Sequence, residues 1–369
     1  MPEPLRFHWS LSQAGNAFRR AQAREQQSGV PPLADQIELC RCAERWGIDS
    51  VLMAIGYTRA DPLVLSIAIG AQTRTIKFMI ACRSGLISPT YFVHQVNTAS
   101  TLLPGRICIN MVCGHTPYEL GYYGDFLEHD ERYSRTAEFL AICRALWKPG
   151  ERVDFAGTYY RVENACIKTP MMASGPEGPE IFLGGNSVQA EDLAIRYADC
   201  LWRFPDADRE LTPRVARVVE SGTQVGLLVS LITRPARQDA LGAASALVSS
   251  FGAQTRVVHR DFAARSDSTG FRSVYAAAED SATEWLSPTL WTGAVPYLGA
   301  PAIALVGSYE DVAEAILGYH SMGVSQFLFV GWPDVEELQH FGEGVLPLLG
   351  QAASVNRYGR PGAHAAYSI

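Results

Sequence analysis

The stretch IKFMIACRSGLISPTYFVHQVNTASTLLPGRICINMV, residues 76–112, reads as strand, helix, strand. Ile76–Cys82 and Arg106–Val112 are short apolar runs, the pattern of strands buried on both faces of a parallel sheet. The residues that follow Pro89 continue as a helix between them. Working outward, the same unit recurs. Candidate strands are Leu5–Leu11, Ser50–Ala54, Glu180–Gly185, Cys200–Phe204, Val225–Ile232 and Ser325–Gly331. Residues 33–46 place Leu33, Ile37, Cys40 and Ala43 at helical spacing, and residues 310–322 and 334–349 read similarly. Eight such units point to an α/β protein of the (β/α)8 barrel class rather than a doubly wound sheet. Residues 1–355 are expected as one domain.

Two places break the rhythm. Within residues 151–179, two alternating runs flank Ala156-Gly157, which predicts a β-hairpin added after the fourth helix. Residues 255–302 are rich in Ser, Thr, Gly and Pro with few periodic apolar positions, and are expected as a long mobile lid loop over the active-site face. Residues 356–369 are expected as a C-terminal tail. The net charge of −7 argues against nucleic acid or a membrane surface as the main partner, while leaving room for a local cationic pocket. The N-terminus has no basic segment followed by an apolar run, and no apolar stretch reaches the ~18 residues of a span. None of the eight cysteines forms a CxxC pair, so reduced, buried thiols and a cytoplasmic location are expected.

Catalytic groups of a barrel sit at the C-terminal ends of its strands. The fourth candidate strand ends in Asn110-Met111-Val112-Cys113-Gly114, and an Asn there offers a donor and acceptors to the edge of a heteroaromatic ring; a buried Asn bonded to backbone is the plain alternative. In Phe126–Tyr133, His129 and Tyr133 stand four apart and share a face if helical, where they could bond a cofactor or manage a proton. The alternative there is a helix-start network, with Asp130 capping and Arg132 paired to Glu128 or Glu131. Gly184-Gly185-Asn186-Ser187 precedes a helix at Val188–Tyr197, an arrangement that binds phosphate or simply caps the helix. Trp332 and Trp291 are candidates to line a pocket. His94, His115 and His320 are expected to be structural, and no metal-ligand spacing, nucleophile elbow, Walker loop or dinucleotide GxGxxG is present.

From Leu5 to Leu349 the chain resembles the bacterial-luciferase-like flavin monooxygenases, most of all the alkanesulfonate monooxygenases. The stretches that carry the resemblance are Arg83–Pro89, Leu103–Gly114, Phe126–Phe139, Ala264–Gly270, Leu286–Gly293 and Ala304–Gly331. It implies a TIM barrel that uses reduced FMN, supplied by a separate NAD(P)H:flavin reductase, and O2 to insert one oxygen into an organic substrate, in a homodimer or homotetramer. It places Ala54, Ala81 and Asn110 beside the isoalloxazine ring, Gly185, Asn186 and Ser187 at the FMN phosphate, and His129 and Tyr133 as catalytic residues touching the flavin. An F420-dependent oxidoreductase on the same barrel and a catalytically silent flavin-binding relative are the alternatives.

The departures concern the substrate pocket, expected from Trp9, Arg59, Leu228, Ser230, Leu298 and Trp332. The family's sulfonate-oxidising members carry Arg-x-His where this chain has Leu228 and Ser230, and an Arg where it has Leu298. A Tyr and a His after the last strand are replaced by Trp332 and Asp334, and a Cys after the second strand by Arg59. A sulfonate wants fixed cationic donors, so the resemblance does not extend to simple alkanesulfonates. A more apolar pocket for a larger neutral or amine-bearing molecule is expected instead.

Overall fold

Alternation of buried strands and amphipathic helices runs through the computed structural model, which describes residues 3–11, 32–57, 59–148, 150, 152–172, 178–205, 208–249, 251, 264–280, 283–332 and 334–355. The chain begins β1 (Arg6–Ser10), α1 (Leu33–Trp46), β2 (Ser50–Met53), α2 (Pro62–Gly70), β3 (Lys77–Cys82), α3 (Pro89–Leu102) and β4 (Ile107–Met111). It continues with α4 (Pro117–Tyr122), α5 (His129–Trp147), β5 (Val153–Ala156), β6 (Arg161–Ala165), β7 (Ile181–Gly184), α6 (Val188–Tyr197), β8 (Cys200–Arg203) and α7 (Asp208–Glu220). Next come β9 (Gln224–Arg234), α8 (Arg237–Ser249), α9 (Thr269–Asp280), β10 (Leu290–Trp291), α10 (Val295–Leu298) and β11 (Ala304–Ser308). The last elements are α11 (Tyr309–Ser321), β12 (Val324–Gly331), α12 (Asp334–His340) and α13 (Leu346–Ala352), with a π-helical turn at Phe341–Val345.

Eight parallel strands close in the order β1-β2-β3-β4-β7-β8-β9-β12, and β12 returns to β1 with Trp9 opposite Phe329. These are the eight strands legible as apolar runs, and the molecule is a (β/α)8 barrel. The expected hairpin is the antiparallel pair β5–β6, with Ala156 opposite Arg161. The span 255–302 is less irregular than expected. Its residues 255–263, 281 and 282 lie outside the described residues, as does the expected tail 356–369. The rest contains α9, where Phe271, Val274, Tyr275 and Ala278 recur at helical spacing on the face turned to the core. Just beyond it β11 pairs in parallel with the far half of β9, Ala304 opposite Ser230, and β10 adds an antiparallel edge.

Local signals set the helix ends. Ser88 accepts from the Tyr91 N–H at 3.4 Å with Pro89 in the first turn of α3. Gly47 ends α1 at φ 70°, a left-handed conformation that frees its N–H for Glu44 O and the Ile48 N–H for Ala43 O.

Strand alternation sorts side chains into two shells. Outward residues such as Phe7, Trp9 and Phe329 pack under the helices. Trp9 is fully buried 5.8 Å from the Phe329 ring and 6.5 Å from Phe341. It therefore belongs to the strand–helix layer and not to a substrate pocket, because its neighbour His8 takes the inward place. Inward residues stack in layers. At the N-terminal end Asp49 accepts from Arg6 Nε at 3.0 Å and lies 3.0 Å from Lys77 Nζ, with Glu180 also bonded to Arg6. His8 sits on this plug, 2.7 Å from both Ser50 Oγ and Gln326 Oε1. Above it lies an apolar layer of Met79, Cys108, Phe182, Cys200, Trp202 and Leu328. The barrel is thus closed at one end and available at the other. All eight cysteines are unbonded, seven of them buried and Cys166 exposed. Among the described residues no helix is long and apolar enough to cross a membrane.

Candidate active site

The open, C-terminal end of the barrel holds a cavity of about 570 Å³, within the usual range for small-molecule sites. Its floor is Trp202, stacked on Phe182 at 5.3 Å and 10°. The indole fits because Gly226 has no side chain: a Cβ there would stand 2.1 Å from the Trp202 ring. Leu228 and Leu328 complete the floor.

On one wall, Ala54, Ala81 and Asn110 stand at or just past the ends of β2, β3 and β4. Two of the three are methyl groups, which leaves width for a flat molecule. Asn110 is 6% exposed, and its Oδ1 has no hydrogen-bond partner among the described residues. A buried acceptor left unpaired costs about 1–3 kcal/mol, so the position is one a bound donor would stabilise.

The opposite wall is built by two helix starts. Helix α5 opens with the Glu131 carboxylate accepting the Glu128 N–H at 3.0 Å. The alternative helix-start network does not form as written: Asp130 is bonded to His129, and Arg132 pairs with Asp267 and donates to the carbonyls of Cys113 and Leu127 instead of meeting Glu128 or Glu131. His129 and Tyr133 do share a face, their ring centroids 5.0 Å apart, and both line the cavity. His129 Nδ1 lies 2.7 Å from Asp130 Oδ1; since a carboxylate only accepts, Nδ1 donates, and in the tautomer that carries its single proton there Nε2 is the acceptor. Burial raises the Tyr133 phenol above its ordinary range, with Ser187 opposing the effect, so it remains a neutral donor.

Helix α6 presents its N-terminus to the same cavity through Gly184, Gly185, Asn186 and Ser187. Ser187 Oγ accepts from the Ala190 N–H at 3.2 Å, leaving the first N–H groups of the helix without intrahelical partners. Gly185 is required by space, as a Cβ would lie 2.5 Å from the Ala190 Cβ and 3.3 Å from the Tyr133 hydroxyl. The Asn186 amide is spent on backbone: Oδ1 accepts from Phe204 N at 3.0 Å and Nδ2 donates to Phe204 O. Asn186 therefore shapes the turn, and only its backbone is available to a ligand. Arg214 donates to the Asn186 carbonyl at 2.9 Å.

The roof comes from α9 and the segment before it. Ser266 Oγ and the Asp267 N–H both donate to the His115 carbonyl, and Phe271 stacks on the His115 ring at 4.4 Å. His115, expected to be structural, lines the cavity; burial lowers its affinity for a proton, with Arg83 adding to the effect. Sequence spacing had also not singled out Arg83, Trp202 or Tyr275, which line the cavity too. Tyr275 is 8% exposed and its hydroxyl has no partner among the described residues. Arg59, Leu228 and Leu298 line the cavity, whereas Ser230 and Trp332 stand one layer back. The Trp332 indole donates to Ser230 Oγ at 3.0 Å, and Ser230 donates to the Pro301 carbonyl at 2.7 Å, so both are engaged in holding the loop that carries Leu298. Trp291 packs beside Trp285 in a satellite core, also away from the cavity. Among the described residues no group of three His, Cys, Asp or Glu could hold a metal.

The family model for luciferase-like monooxygenases matches residues 6–326. The chain belongs to the luciferase-like monooxygenase family. Among solved structures of similar fold, riboflavin lyase with modified FMN and riboflavin aligns at TM-score 0.76 and 18% identity, covering 96% of this chain and 93% of that one. EDTA monooxygenase from Chelativorans sp. BNC1 aligns at TM-score 0.74 and 17% identity, over 96% and 95% of the two chains. An F420-dependent secondary alcohol dehydrogenase aligns at 0.64 and 16%, over 94% and 99%. Chains of this fold thus occur with modified FMN and with an F420 adduct.

Proposed function

We propose that this family member is the oxygenase of a two-component system, taking reduced FMN from a separate NAD(P)H:flavin reductase and inserting one atom of O2 into an organic substrate. The observation that carries the reading is the N-terminus of α6, opening through Gly184–Ser187 onto the same cavity as Asn110, His129 and Tyr133. A helix N-terminus with free N–H groups suits a phosphate, and the ring-sized space bounded by Ala54, Ala81 and Asn110 suits a flat heterocycle. Asn110 Oδ1, buried without a partner, would accept from a ring N–H of that heterocycle. Gly185 would let the phosphate approach backbone, and Ser187 with the α6 N–H groups would bind it.

Reduced FMN, when bound, supplies the two electrons that activate O2. The protein supplies the rest. Tyr133 orients through its neutral hydroxyl, and His129, held by Asp130 through Nδ1, can take and return a proton at Nε2. The α9 roof, fixed to His115 and to Arg132, keeps water from the reacting centre. The apolar floor of Leu228 and Leu328 favours an organic substrate over a simple sulfonate, whose cationic cluster is absent at Leu228, Ser230 and Leu298.

Titration with FMN, reduced FMN and F420 tests this. Reduced FMN is expected to bind more tightly than oxidised FMN, and the chain with FMN is expected not to oxidise NADPH. Tight F420 binding in preference to reduced FMN would move the chain to the deazaflavin oxidoreductases that share the barrel. NADPH oxidation by the chain alone would end the two-component reading.

A further inference from the structure

We propose that the substrate of this site is an organic acid, and that its carboxylate is received at a corner formed by Arg59, Arg83 and Glu119; the inference rests on the flavin reading above and adds the substrate class to it. The three side chains converge on one point. A Cβ placed on Gly56 would lie 3.7 Å from both Arg59 Nε and Glu119 Oε1, and Glu119 Oε1 accepts from Arg83 Nη2 at 2.8 Å. Arg59 Nε and Glu119 Oε1 therefore border the same gap beside Gly56, and Glu119 is bonded to Arg83 alone. Glu119 is the only carboxylate among the described residues that line the cavity, and the third lining arginine, Arg203, is paired with Glu191 at 2.6 Å. The corner is left with one positive charge in excess.

The donors are also underused. Arg83 is 6% exposed, yet its Nε and Nη1 have no hydrogen-bond partner among the described residues. The Arg59 side chain makes no hydrogen bond or ion pair there, although it stands at the cavity mouth. The buried Arg83 donors are costly to leave unpaired, Arg59 is an exposed cation at the rim of the same cavity, and a carboxylate is the group whose oxygens match both. Glu119 answers Arg83, so the additional anion falls to Arg59, the residue that stands where the sulfonate-oxidising relatives have cysteine. Beside this corner Tyr57 and Tyr118 line the mouth, each edge-on to Tyr122 at 5.2 and 6.0 Å, and Leu228, Leu298 and Leu328 line the interior. An acid with an extended apolar or aromatic body would place its head at Arg59 and its body over the leucines. The proposed phosphate site is built from Gly185, Asn186 and Ser187 at the start of α6 and shares no residue with this corner.

The test uses the full chain loaded with FMN and four probes: octanoate, 2-naphthoate and the two corresponding amides, followed by calorimetry and by the visible spectrum of the bound flavin. The acids are expected to bind roughly ten- to hundredfold more tightly than their amides, the size of a charge-assisted hydrogen bond. Arg59→Met should erase that ratio, Arg59→Lys should restore part of it, and Glu119→Gln should increase it by freeing Arg83. FMN affinity should be unchanged in Arg59→Met. Equal binding of acids and amides, or no measurable binding of any probe to the FMN-loaded chain, overturns the proposal while leaving the flavin reading intact. A loss of FMN affinity in Arg59→Met equal to the loss of acid binding assigns the corner to the flavin and also overturns it. If wild-type chain does not bind FMN at all, it is the underlying reading that has failed.

Discussion

Ser187 stands where a helix cap and the proposed phosphate site coincide, two roles that removal of its hydroxyl alone cannot separate. Its Oγ caps α6 by accepting from the Ala190 N–H, and it lies on the cavity beside the proposed phosphate position. Ser187→Ala should therefore cost about 1 kcal/mol of stability as a lost cap and also weaken FMN binding by ~1–2 kcal/mol, roughly 5- to 30-fold. Ser187→Asp divides the roles. Aspartate caps as well as serine, so the melting temperature should stay near wild type, while its charge should repel the phosphate and lower FMN affinity below that of the alanine variant. Equal FMN affinity in all three proteins would reduce Ser187 to a cap. His129 is argued on different ground, because its ring is fixed by Asp130 at the exposed start of α5 and contributes no buried packing comparable to Tyr133. His129→Ala should keep the fold and most FMN affinity, yet lower product formation by about 10² and raise H2O2 release, as expected when a positioned proton carrier is lost. An unchanged ratio of product to H2O2 per reduced flavin would remove His129 from the chemistry.

At the level of elements, the site depends on how closely α6 can dock against α5. Gly185 sits at that seam, and the space its side chain would need is filled by the Ala190 methyl and the Tyr133 hydroxyl. Gly185→Ala should push the α6 start away from the cavity, lowering FMN affinity at least tenfold and the melting temperature by several degrees. Adding Ala190→Gly removes the nearer clash at the modest cost of a helical glycine, so the double variant should recover part of both losses. Absence of any recovery would mean the backbone of the turn, and not the α5–α6 approach, sets the phosphate position. This seam also marks where sequence reading stops. The glycine pair, the serine and the helix after them are visible as letters at fixed offsets, and so are the eight apolar runs that became β1–β4, β7–β9 and β12. Strand parity is visible only if one knows which residue faces inward: His8 took the interior and sent Trp9 outward, the reverse of what an aromatic pocket residue requires. Contacts between distant segments have no sequence period at all. Arg83 meets Glu119, Arg132 meets Asp267 and His115 stacks on Phe271 because the closed barrel brings loop ends together, and α9 was masked by the Ser, Thr and Gly around it.

For the whole molecule, the end of the barrel away from the chemistry governs the response to acid. Desolvation by complete burial holds the His8 imidazole at about 4, with Arg6 adding to the effect and Asp49 opposing it. An unfolded histidine titrates near 6.5, so between about 4 and 6.5 the unfolded chain carries a proton that the folded chain excludes. Folding stability must then rise with pH across that window, and it is fully present above the unfolded value. The loss on acidification, from this group alone, is about 3 kcal/mol, since each pH unit of separation contributes ~1.4 kcal/mol. Asp49 acts in a different window. Arg6, Lys77 and His8 outweigh its burial and hold its carboxyl below the usual carboxylate range, so its contribution persists until pH falls below about 4. The two groups can be told apart by where stability is lost. His8→Gln cannot charge, and it should flatten the dependence of unfolding free energy on pH between 4.5 and 6.5 while leaving the steeper loss below pH 4 in place. Asp49→Asn should lower stability at neutral pH and remove the acid-most loss instead. Denaturant unfolding at a series of pH values measures both. If the slope between pH 4.5 and 6.5 is the same in wild type and His8→Gln, the imidazole is already protonated in the folded barrel, and the plug beneath the cavity is held by a charged His8–Asp49 contact rather than by a neutral ring between Ser50 and Gln326.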